Sequence, residues 1–335
     1  MSDASRITFK NTDCVKLSAA QYEAIICPSL GCQVLRFTHR DPDCEIFRYR
    51  ENVTIEEIKE APAIWGLPTM YLPNRFDGGL IKTSDGEYHM PINETDFGNY
   101  LHGFVYKRPY TVTELKANGE KAFLTAEFVY GEDDEMYKYF GVRFVMTVSF
   151  TVDENGLSQS IKIKNLCEKA IPVSIATHTC INAPLVVGGD EKDMLLKIGI
   201  DKKCGLNDRF LPDEKLYSLT PWDEEYLHGT KLPTGQVIEN DMYTGAENCF
   251  EDKPFYGSAV CDTDKRVALI NEVSREFKFF NIWNHDGDKG YFCPEPMTAM
   301  INSPNLKLPQ EVSGYRELKL SEEFSCSQSF KIVKY

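Results

Sequence analysis

The chain has 335 residues, 42% of them hydrophobic, and a formal net charge of -14. That is enough apolar material for a sizeable core, yet no run of about 18 apolar residues offers a membrane span. The acidic balance disfavours nucleic acid and anionic membranes as partners, since both select basic surfaces. Met1 to Asp13 is polar and mixed in charge, without the apolar core of a secretory leader. Eleven cysteines run from Cys14 to Cys326 and none forms a CxxC pair. This usage is expected of reduced, mostly buried thiols in a cytoplasmic protein, not of a disulfide framework or a zinc site.

In chain order, Thr54-Ile55-Glu56-Glu57-Ile58-Lys59 reads as a brief helix capped by Thr54 or Asn52. Asp85-Gly86 marks a turn. Tyr110–Leu115 and Phe123–Val129 read as a hairpin closed through Asn118-Gly119. From Val142 to Phe150 every second residue is apolar, and Leu157, Gln159, Ile161 and Ile163 resume the alternation after Asn155-Gly156. Period two is the mark of a half-buried strand, and Asn-Gly supplies the positive φ angles of a tight hairpin. Pro212–Pro233 is irregular and polar and is expected to be a long surface loop. Val267–Ile270, Phe277–Trp283 and Phe330–Val333 are further strands. With no internal repeat or linker, the expected fold is all-β: one large antiparallel β-sandwich domain over residues 1–335 with a few short helices. Aromatic residues make up 12% of the chain, which suits a sugar site, although most of these rings are expected in the core.

Among the six histidines, His39 falls in a polar turn and is expected to be solvated, His228 lies in a polar loop and His285 in a turn, while His89 follows a turn before Met90-Pro91. His102, in Asn99-Tyr100-Leu101-His102-Gly103-Phe104, has apolar neighbours, and Gly103 permits close backbone approach. His178 ends a strand-like run, Ile171 to Ala176. By local sequence, each reads equally well as a satisfied core histidine or a working one. Glu295 lies between Pro294 and Pro296, where the backbone direction is fixed and burial would raise a carboxyl pKa into the range of a useful base. Asn74-Arg75-Phe76-Asp77-Gly78-Gly79 is a polar loop able to hold hydroxyls. The chain contains no phosphate-binding glycine loop, no His-Glu-x-x-His helix and no Gly-x-Ser-x-Gly elbow.

Taken together, four segments resemble the aldose 1-epimerases, or galactose mutarotase-like proteins. They are Pro73-Asn74-Arg75-Phe76, Asn99-Tyr100-Leu101-His102-Gly103, Pro172 to Pro184 around His178, and Trp283 to Thr298 around Glu295, with Pro304-Asn305 following. They occur in order and span most of the chain. The resemblance implies a large β-sandwich without cofactor or metal, a small-molecule sugar as partner, a monomer or homodimer, and interconversion of the α and β anomers of a free aldose. It also implies that Glu295 is the base, His178 the acid and His102 a support for the ring oxygen, with Arg75 and Asn74 on hydroxyls. Two features depart from the family pattern. Thr179-Cys180-Ile181-Asn182 stands where Pro-Tyr-Phe-Asn is usual. The family's sugar-gripping aspartate has its nearest match at Glu247, in Glu247-Asn248-Cys249-Phe250, with Asp241 as a competitor. The sugar therefore stays open, as do two other readings: an epimerase of a sugar 6-phosphate, which needs a clamp of several cations, and a non-catalytic carbohydrate-binding module on the same fold.

Overall fold

The computed structural model describes residues 1–335. The fold is all-β and antiparallel, with only a few short helices. Two large sheets face each other. The first joins eight strands, among them Thr111–Ala117, Ala122–Tyr130, Phe144–Asp153, Gly156–Asn165, Glu323–Lys334 and Val267–Val273. The second joins Pro212–Tyr217, Ile200–Leu206, Glu239–Gly245, Phe279–Trp283, Tyr291–Met297, Ile175–Thr177 and Thr69–Tyr71, with Ile181–Asn182 pairing off this path. An N-terminal five-stranded sheet, residues 3–45, is bound to the first: the Tyr22 hydroxyl accepts from the Ile332 amide at 2.9 Å, and Phe47, just past the sheet, meets Phe330 edge-on. One cluster of 65 buried side chains runs through all three sheets, so they share a single apolar interior.

The alternation read from the sequence is the alternation observed. Phe144, Met146, Val148 and Phe150 are buried and pair across to Asn165, Ile163, Ile161 and Gln159 on the next strand. The turn is shifted by one residue from expectation. Asp153 pairs with Gly156, so Glu154-Asn155 form the loop and Gly156 opens the strand at φ +108°. A Cβ there would lie 1.9 Å from the Phe330 carbonyl oxygen, which is why the position takes glycine. The Thr54 helix forms at Ile55–Glu60, capped by Thr54 with Glu57 closing a capping box.

Pro212–Pro233 is not a loop. It contains the strand Pro212–Tyr217 and the helix Pro221–His228, opened by a Thr220/Asp223 capping box and ended by Gly229 in the left-handed conformation. Asp223 and Tyr226 are fully buried on the second sheet. The capping signals are visible in the sequence, but the helix is polar and short, so no apolar period announces it. His39 also differs from expectation: it is buried in a strand, with Nδ1 2.9 Å from the Pro42 carbonyl and its ring against Tyr22.

No helix is long and apolar enough to cross a membrane. Nine of the eleven cysteines are buried, as expected; Cys167 is half-buried and Cys249 exposed.

Candidate active site

The second sheet has a gap in it. The chain leaves the sheet after Thr177 and rejoins at Ile181, so the strand Tyr291–Met297 is paired on that side only at Met297 and at Phe292 and Tyr291. Pro294 and Pro296 fall within this gap, where the ladder asks for no N–H. The arrangement lets two prolines sit in a central strand and fixes Glu295 between them. His178 occupies the opening. Its amide donates to the Pro68 carbonyl at 3.1 Å. Thr177, one residue earlier, points the other way, into a buried polar network with Gln328, Gln159 and Thr69 that ties the two large sheets together. Strand alternation therefore sends His178 to the face turned away from the core.

Nε2 of His178 lies 3.2 Å from Oε1 of Glu295, with both side chains 5% exposed. Burial raises the Glu295 carboxyl, and the neighbouring His178 charge, the Asn281 amide and Arg75 hold it back, leaving it at about 7. Burial alone would lower His178, but Glu295 and Cys180 outweigh it and raise the imidazole to about 9. The two groups are charged together in the window between those values.

His102 meets the His178 ring edge-on, with centroids 5.3 Å apart. It sits in the left-handed region at φ +67°, as does Asn74 at +57°, and the two residues hold each other there. The His102 amide donates to the Asn74 carbonyl at 2.8 Å, and the Asn74 amide donates to His102 Nδ1 at 3.3 Å. Nδ1 is thus an acceptor, which puts the proton of the neutral ring on Nε2. Burial, His178 and Arg75 push this imidazole well below its ordinary pKa, so it remains neutral. Gly103 is needed for the turn: a Cβ would lie 2.0 Å from the Tyr71 carbonyl oxygen.

Arg75 donates from Nε and Nη2 to the carboxylate of Glu94 at 2.8–3.0 Å, while its Nη1 reaches Asn74 Oδ1 at 3.3 Å and Asn240 Oδ1 at 3.5 Å. Asn240 is the extra residue of a β-bulge, between the pairs Glu239–Trp283 and Asp241–Ile282, and has φ +140°. The bulge turns its amide toward Arg75 and toward Asn281, which is 3.5 Å away. Asn281 stands directly opposite Glu295 in register, is 1% exposed, and its Oδ1 has no hydrogen-bond partner. Trp283, two residues along, meets His178 edge-on at 5.8 Å.

His102, His178, Glu295, Arg75 and Asn74 therefore converge. Glu247 does not. It lies beyond the end of the strand Glu239–Gly245, seven residues past Asn240, with its side chain 65% exposed and paired with Arg275. Asp241 is on the right strand but faces the helix Pro221–His228, accepting from Trp222 Nε1 at 2.8 Å and the Tyr226 hydroxyl at 2.9 Å. From this strand it is Asn240, on the bulge, that reaches Arg75 and Asn281. Sequence reasoning also missed Glu94, Asn281 and the sulfurs beside His178. Cys180 was within reach, because residues i and i+2 of an extended chain share a face.

The ligand atoms of His178, Cys180 and Cys293 lie within 4.8 Å of one another. The positive charge of Arg48 acts on both sulfurs. A cavity of ≈ 470 Å³ lies elsewhere, lined by Phe250, Lys253, Lys331 and Tyr335 among others, and brings no histidine into its wall.

The sequence from residue 13 to residue 331 matches the family model for aldose 1-epimerase. A galactose mutarotase-like protein from Clostridium acetobutylicum is 32% identical, with a TM-score of 0.96 over 100% of this chain and 99% of that one. Galactose 1-epimerase from Lactobacillus acidophilus is 14% identical with a TM-score of 0.74, covering 99% of each chain. An aldose epimerase homologue from C. elegans is 15% identical with a TM-score of 0.71, over 100% of this chain and 99% of that one. The last two show the fold alone. By the span of the family match, this chain belongs to the aldose 1-epimerase family.

Proposed function

We propose that the protein is a mutarotase that interconverts the α and β anomers of a free aldose. The observation that carries this reading is the buried contact of His178 Nε2 with Glu295 Oε1 at 3.2 Å. An acid and a base held this close address two oxygens on one carbon, which is the arrangement of a cyclic hemiacetal. Glu295 takes the proton from the anomeric hydroxyl, His178 gives its Nε2 proton to the ring oxygen, and the C1–ring-oxygen bond breaks to leave an aldehyde. After rotation about C1–C2 the same groups act in reverse. Glu295 returns its proton to the carbonyl oxygen, His178 recovers one from the attacking hydroxyl, and no proton is gained or lost over the cycle. The chemistry needs an ionised base and a protonated acid at the same pH, and the values of about 7 and about 9 leave both forms populated between them.

The supporting residues follow. His102, neutral with its proton on Nε2, donates to the ring oxygen or an adjacent hydroxyl. Asn281 Oδ1, buried without a partner, accepts from a sugar hydroxyl. Arg75 Nη1, Asn74 and Asn240 form a polar edge suited to uncharged hydroxyls, because Glu94 already neutralises the guanidinium. That pairing disfavours a phosphorylated substrate. A pure binding module has no use for the acid and base together. The test is anomer-exchange NMR on freshly dissolved free and phosphorylated aldoses. Exchange of at least one free aldose well above the buffer rate is expected; a panel that exchanges at the buffer rate overturns the reading.

A further inference from the structure

Nδ1 of His178 has one protein partner, the sulfur of Cys180 at 3.5 Å. The residue is 4% exposed, and a buried ring nitrogen without a partner is costly. The Cys180 sulfur is itself surrounded. It accepts from Cys293 Sγ at 3.3 Å, and in its thiol form it donates to the His178 carbonyl oxygen at 3.3 Å or to that of Ala63 at 3.5 Å. Ile181 pairs with Phe292, so Cys180 and Cys293 are cross-strand neighbours one position further along. Arg48 completes the surroundings. Its guanidinium is stacked between Tyr291 at 3.7 Å and Trp65 at 3.9 Å and donates to the Ile64 carbonyl at 2.7 Å, with no carboxylate ion pair.

We propose that Cys180, braced by Cys293, is a positioning residue for the epimerisation: its sulfur accepts the Nδ1–H of His178 and holds the ring with Nε2–H directed at Glu295 and the sugar. The consequence for catalysis rests on the function proposed above; the geometry does not. A sulfur in this place is able to carry negative charge. Burial opposes ionisation, but the Cys293 S–H, the His178 ring and Arg48 lower the Cys180 thiol to about 6, and burial with the neighbouring sulfur pushes Cys293 up. A thiolate on the far nitrogen of an imidazole fixes its tautomer and favours its cation, as the buried carboxylate does in a hydrolase triad. The other groups bearing on His178 are Glu295 and Cys293 from the strand Tyr291–Met297, and His102 from the turn after Asn99–Leu101. Arg75 acts on Glu295 and His102, and Arg48 on the two sulfurs.

Imidazole nitrogen NMR of the protein, with His178 signals assigned through H178N, tests this directly. In the wild type the deprotonated ring is expected to keep its proton on Nδ1. C180S preserves the volume but removes the thiolate, and the His178 titration moves down by about one pH unit or more. C180A leaves Nδ1 without a partner and gives mixed tautomers. The alkaline limb of anomer exchange follows the nitrogen titration in each variant. Should C180A fail to fold, C180S, closest in shape, carries the test. Identical tautomer and titration in wild type, C180S and C180A overturn the proposal. If the nitrogen signals shift as described while no aldose exchanges with any of the proteins, the positioning stands and the mutarotase reading fails.

Discussion

Arg75 and Glu94 form a two-oxygen ion pair at 2.8–3.0 Å, with the two side chains 11% and 14% exposed. The one arginine drawn into the site therefore has its charge met before a substrate arrives, and only its Nη1 is directed toward Asn74 and Asn240. A phosphate would have to compete with Glu94 for the guanidinium. Free aldoses are accordingly expected to exchange anomers faster than their 6-phosphates, by saturation-transfer NMR on matched pairs. A phosphorylated sugar that exchanges faster than its free parent would refute this. E94A leaves a half-buried cation unpaired and is expected to cost about 3 kcal/mol of stability, read by denaturant unfolding.

Glu295→Gln keeps the shape and a hydrogen-bonding amide but cannot take a proton. The expected result is a fall in kcat of roughly a hundredfold or more with KM little changed, since the loss is confined to the proton-transfer step. His178→Asn should do the same. Steady-state polarimetry separates the two constants. A KM effect alone would reassign these residues to binding.

The pH dependence has a definite sign. Below about 7, Glu295 holds a proton and cannot act as base; above about 9, His178 has lost the proton it must give. Activity is expected to be bell-shaped, rising through about 7 and falling through about 9, with both limbs belonging to the interacting pair. In H178N the limb near 9 disappears, and the acid limb moves up because Glu295 loses the neighbouring charge that favours its ionised form. Rates measured from pH 5 to 10 in buffers of constant ionic strength would show this, and a flat profile across that range would count against the acid/base assignment.

Asn240 carries a side chain at φ +140°, a conformation that favours glycine. Asn240→Gly is expected to gain about 1 kcal/mol of stability by relieving the backbone, while raising KM because Arg75 and Asn281 each lose a neighbour. Paired unfolding and kinetic measurements check the two halves. A variant that gains stability with unchanged KM would remove Asn240 from the sugar site.

Much of this protein is settled locally. Period-two alternation from Phe144 to Ile163 is a property of neighbouring residues, and it announces strands, their buried faces and their hairpins without knowledge of the fold. The Thr54 cap is local in the same sense, whereas glycine at Gly103 is required by the approach of the Tyr71 carbonyl from another strand. His102, His178 and Glu295 were legible as unusual residues, and the order of their segments pointed to the family. What the sequence by itself could not decide is which side chains meet. Glu247 and Asp241 both competed for the sugar-gripping place that the family resemblance implies, but a one-residue bulge turned Asn240 toward Arg75, sent Asp241 to the helix Pro221–His228 and left Glu247 on the surface with Arg275. The 3.2 Å contact of His178 with Glu295, and the sulfurs behind the imidazole, come from strands far apart in the chain. Only the pairing of those strands, with the gap it leaves between Thr177 and Ile181, brings them together, because register is set by the packing of whole sheets and not by the residues at the site.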